Sequence, residues 1–219
     1  MRSTLLLPAL LIGTMSVLAA CQTAPYYKAL ETVGIKKRDL LIDRVEDVQK
    51  SEREASKAFV GAVTVYRETS DADPRNIEGA YRRLESAYEK SRARARDVEQ
   101  DIDTLRTVAG DMFSEWESEL KLFQDPDIRA ASAADLERTR AEFAQLERVL
   151  GESVQAMEPA LFTLRDRVLY LKHNQTPAAA QALRAQQPKL VEDVRSADAE
   201  IKRAIEASNR FLTRLRTSP

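Results

Sequence analysis

The chain has 219 residues, and Ala, Leu, Glu, Lys and Arg supply half of them, the composition of long helices and coiled coils. Six glycines leave too little turn material for a sheet protein of this size, which excludes an all-β fold. Charged residues reach 32% but cancel to a net charge of −1, against the basic excess that a nucleic-acid partner requires.

One cysteine and one histidine rule out an intramolecular disulfide and a zinc site of the Cys/His kind. Most His- and Cys-based catalysis loses its raw material as well. No cofactor is expected beyond covalent lipid.

In chain order, Arg2 opens a weakly positive start and Leu5 to Val17 is largely apolar. That stretch is too short for a membrane-spanning helix and has the length of a signal-peptide core. Leu18-Ala19-Ala20-Cys21 follows and resembles a bacterial lipobox with the lone cysteine in its last position. The resemblance implies cleavage before Cys21, a diacylglycerol thioether on its sulfur, and acylation of the new amino terminus. Two or more chains anchor a protein stably, at ~0.8 kcal/mol per buried methylene. Lipidation also removes a thiol that an oxidising compartment would attack. Gln22, where Asp would retain a lipoprotein at the inner membrane, favours the outer membrane. The expected organisation is a signal peptide over 1–20, a lipidated tether over 21–29 and a helical body over 30–216.

From Leu30 onward the apolar positions step by three and four. The first seam includes Leu41, Val45, Val48, Glu52, Ala55, Phe59, Ala62 and Tyr66, and stops before Pro74. The second starts at Ile77 and runs past Trp116 to Phe123, where Gln124-Asp125-Pro126 breaks it. The third includes Leu136, Phe143, Leu150, Ser153, Met157, Leu164 and Leu171. The fourth includes Leu183, Gln187, Leu190, Val194, Ile201, Ser208, Phe211 and Leu215. Thr176 caps the last segment, with Pro177 at its first position. Pro159 points away from its seam and removes a helix hydrogen bond to Gln155, predicting a kink. Pro188 either kinks the last helix or starts a new one.

The fold predicted is all-α: an elongated antiparallel four-helix bundle of coiled-coil type. Hairpin arithmetic centres the turns near residues 73, 129 and 175. Trp116 then falls level with Leu30, Phe143 and Ser208, and Glu52 with Ala95, Leu164 and Gln187. Asp71–Asn76 and Lys172–Pro177 share the far tip.

Several of these residues together resemble a bacterial family of unknown function, domain-of-unknown-function family 2959. They are Tyr26-Tyr27, Glu31, Gly34 and the run Lys37-Arg38-Asp39-Leu40-Leu41-Ile42-Asp43-Arg44-Val45-Glu46. Phe113-Ser114-Glu115-Trp116, Met157-Glu158-Pro159 and Leu164 through Asn174 also belong to the set. The resemblance covers about residues 26–213. It implies a helical lipoprotein and transfers no catalytic residues.

Candidate functional residues are few. Asn76, His173 and Asn174 form a candidate interaction tip. Arg38, Asp39, Asp43 and Arg44 form a charged cluster, read by default as salt-bridged helix surface. Glu52, on a seam, is expected to set register or pair with an arginine. Phe113, Trp116, Phe143 and Tyr26 either pack the core or line an apolar pocket. Arg92, Arg94 and Arg96 lie among acids and read as a solvated face.

The function expected is non-enzymatic: a periplasm-facing helical rod, lipid-anchored in the outer membrane rather than the inner one. It would contact an envelope protein or the cell wall, and no nucleic acid. The alternative is a ligand-binding or enzymatic lipoprotein using the aromatic and charged clusters. A third reading is an oligomeric coiled-coil scaffold.

Overall fold

The computed structural model describes residues 37–217. The expected signal peptide and lipidated tether, Cys21, Tyr26 and the expected layer position of Leu30 lie outside the described residues. The described part holds four long helices and no strand. Helix α1 is Lys37–Ser70, α2 is Ile77–Leu120 and α3 is Pro126–His173. The short α4 is Pro177–Ala182, and α5 is Gln187–Thr217. The 48 residues of α3 make a rod of about 70 Å at ~1.5 Å per residue.

The turns form where short polar side chains satisfy the first backbone N–H groups of a helix. Asp73 accepts from the Arg75 N–H and precedes Pro74. Asp125 accepts from Asp127 and Ile128 and precedes Pro126. Thr176 accepts from Ala179 at 3.1 Å, with Pro177 next. In each case proline takes the first helical position, where its missing N–H is not needed. Gly79 has a separate reason. A Cβ there would stand 2.3 Å from the Asn76 side-chain oxygen, so any larger residue would make the exposed Asn76 side chain turn aside.

Packing follows the seams. Helix α1 lies against α2 and α5, and α3 lies against the same two, so α1 and α3 are diagonal partners. Every seam residue named for the first segment is buried. So are Leu190, Val194, Ile201, Ser208, Phe211 and Leu215 of the fourth. Fully burying one such aliphatic or aromatic side chain contributes about 1.5–3 kcal/mol, and the core repeats this along the whole bundle.

Helix α3 runs through Pro159 without a break, with that residue on the exposed side. Pro188 takes the second alternative. Helix α4 and a 3-10 turn over Leu183–Gln186 precede it, and it sits in the first turn of α5.

That arrangement corrects the layers expected from hairpin arithmetic. The Thr163–Asp193 and Glu142–Arg214 pairs both have their midpoint at residue 178, not 175. The connection from α3 to α5 is not a tight turn, because α4 and its 3-10 turn occupy the end of the bundle. Gln187 therefore starts α5 at that end, while Ser56 of α1 reaches Asp198 at 2.6 Å. Glu52 meets Ser153 rather than the level of Leu164, an α1–α3 offset that the α3–α5 connection does not set. Phe143 packs on Phe113 and on Phe211, beyond the Ser208 level, while the Glu117–Arg140 pair keeps Trp116 near the level expected.

Candidate functional site

Glu52 is the most unusual side chain of the core. It has no exposed surface, on a helix face otherwise lined by Val48, Ala55 and Phe59. Its partner is not an arginine. The Ser153 hydroxyl, also fully buried, lies 2.5 Å from Oε1, which ties α1 to α3 across the bundle diagonal. Oε2 has no hydrogen-bond partner among the described residues. Burial pushes the carboxyl up to about 7, and the Ser153 bond opposes part of that rise. Ionisation in such surroundings is costly because burial strips the charge of its solvation.

The aromatic candidates are core. The Phe113 and Phe143 rings stand 5.8 Å apart edge to face, and Phe143 and Phe211 stand 5.9 Å apart. Arg140 covers the Phe113 ring at 5.5 Å. These rings fill the space between α2, α3 and α5. Trp116 is half-buried closer to the α2–α3 turn, where its indole N–H donates to Ser132 at 2.8 Å.

The tip residues do share one end of the bundle. Asn76 precedes α2, and His173 and Asn174 end α3; all three are exposed. Asn174 donates to the Tyr170 carbonyl at 3.0 Å and so finishes its helix. Arg184 bridges the two connections of this end through Asp71 at 2.6 Å. The Tyr66 hydroxyl, fully buried beneath them, donates to the Leu183 carbonyl at 2.9 Å.

The charged opening carries ion pairs at Lys37, Arg44 and Glu46. Arg44 pairs with Asp47 at 3.0 Å, and Lys37 reaches Glu115 of α2 at 2.8 Å. Arg216 of α5 pairs with Glu46. Asp39 and Asp43 are exposed on the outer face, and Arg38 is half-buried beside them. Arg92 pairs with Glu89 at 2.5 Å, and Arg94 with Asp97 at 2.7 Å and Glu54 at 3.2 Å. Arg92 and Arg94 of the basic run are thus neutralised within α1 and α2.

One feature escaped sequence reasoning. Asp47, Lys50, Glu54, Arg94, Asp97 and Asp101 line a groove of about 340 Å³ between α1 and α2. The acids of two helices meet there only because of the hairpin register, which seam-reading does not follow on outer faces. Among the described residues, no group of three or more His, Cys, Asp or Glu side chains is placed to hold a metal ion. No described helix is long and apolar enough to cross a membrane.

These features define an antiparallel bundle of four long helices whose interior is packed with its own side chains. The family model described as a protein of unknown function (DUF2959) matches residues 26–215, and the chain belongs to that family. No curated protein matches it.

Proposed function

We propose that this protein is a lipid-anchored, non-enzymatic rod of the bacterial envelope, attached through Cys21 to the outer membrane and facing the periplasm. Its long faces and far tip contact an envelope protein or the cell wall. The observation that carries this reading is the use of the chemically interesting side chains as structure. The aromatic cluster packs three helices together, and the charged opening and the arginine run form ion pairs. The lipobox-like Leu18-Ala19-Ala20-Cys21 supports the attachment.

Labelled palmitate should enter the wild-type protein and not Cys21→Ser. Unlabelled wild-type protein released in soluble form would refute the anchor. For the partner, a photo-cross-linker placed at Asn76 or Asn174 in growing cells should capture a discrete envelope component. Capture of none from either position would count against the tip as the contact surface.

A further inference from the structure

The Ser153 hydroxyl stands 2.5 Å from Glu52 Oε1 and 2.7 Å from the Leu150 carbonyl oxygen. A serine hydroxyl has one proton to donate. With Glu52 as a carboxylate, that proton has two acceptors to serve and one of them loses its bond. Oε2 is then an unpaired anionic oxygen in the core. With a proton on Glu52, both contacts are satisfied in series. Oε1–H donates to Ser153 Oγ, and Ser153 donates to Leu150. Oε2 becomes a neutral carbonyl oxygen, whose unpaired burial costs far less than that of a charge.

The charged groups on nearby turns do not supply a counter-ion. On α1 and α2, Glu54, Arg94 and Asp97 pair with one another at the surface. On α3, Arg148 pairs with Glu152 at 2.5 Å. On α5, Asp198 is held by Lys202 at 2.6 Å and by Ser56. Lys50 and Arg53 of α1 are exposed, and Arg53 reaches Gln49 at 3.4 Å.

We propose that Glu52 is folded into the bundle as a neutral carboxylic acid that donates to Ser153, and that its ionisation is a built-in release weakening the α1–α3 tie at mid-bundle. This device is independent of the lipid anchor and of any partner. Proton uptake on folding follows from it. An ordinary glutamate titrates near 4.5 when the chain unfolds, against about 7 in the bundle. The Glu52 contribution is complete below pH 4.5 and declines as pH rises towards 7. Above that both states are ionised and it changes no further. Between those limits the folding constant falls about tenfold per pH unit on account of this one proton.

Urea unfolding of the full chain and of Glu52→Gln, from pH 4 to 9, tests the proposal. The Gln amide can donate to Ser153 in place of the acid proton. The wild-type folding constant relative to that of Glu52→Gln should therefore fall by about two orders of magnitude or more across the window, then level off. Equal pH dependence of the two proteins would overturn the proposal. Carbon-detected NMR of the wild-type carboxyl groups decides the matter even where Glu52→Gln does not fold. One glutamate resonance titrating well above the rest is expected. A set of glutamates that all titrate at ordinary acidic pH would refute it.

Discussion

A buried carboxyl group with one hydroxyl partner depends on that partner to fill a donor–acceptor requirement, and Ser153 does so for Glu52. Ser153→Ala should therefore destabilise the bundle by about 1–3 kcal/mol in chemical denaturation. A Ser153→Ala protein with wild-type stability would show that the contact carries no energy. Removing the shift altogether by ionising Glu52 costs about 3 kcal/mol between acidic and neutral pH. That is a large part of the margin by which domains are stable.

Among the helices, two contacts decide how the last one docks. The Thr176 cap starts α4, and α4 displaces α5 along the bundle. Thr176→Ala leaves the Ala179 N–H without its side-chain partner and should cost about 0.5–2 kcal/mol. The measurable sign is faster hydrogen exchange confined to residues 177–186. Exchange unchanged there would mean that the end is held by Tyr66 and Arg184 alone. At the other end, Phe143 contacts both Phe113 and Phe211. Phe143→Ala should lose about 3–5 kcal/mol, the cost of a large core truncation. A loss under about 1 kcal/mol would mean that the ring layer is loosely packed.

For the bundle as a whole, the critical quantity is register, because a slip of one helix moves every layer. Lys37 and Glu115 lie 2.8 Å apart at one end of the α1–α2 pair. A zero-length carboxyl–amine cross-linker should join them, identified by mass spectrometry of the linked peptides. A dominant link from Lys37 to another carboxyl would report a different pairing. The connections sit where the long rows of ion pairs remain in step, such as Glu54–Arg94 at mid-bundle and Arg106–Glu147 between α2 and α3. Exposed pairs of this kind contribute little stability each. Their value is in favouring one register over its neighbours.

Much was legible in the residues themselves. Half the chain in Ala, Leu, Glu, Lys and Arg and seams stepping by three and four required long amphipathic helices. Thr176-Pro177 marked a helix start, and Pro74 and Asp125-Pro126 marked breaks, because capping and proline chemistry are local. The core face was legible too, since helical periodicity depends on a few neighbouring residues only. Tertiary structure decided the partners. Whether Phe143 met Phe211 or the level of Ser208 depended on how many residues the α3–α5 connection consumed, and whether Glu52 met Ser153 or the level of Leu164 depended on how α1 and α3 are offset along the bundle. No local signal counts those residues. The same reason hid the acidic groove between α1 and α2, where side chains from distant turns come together only after the hairpin has closed.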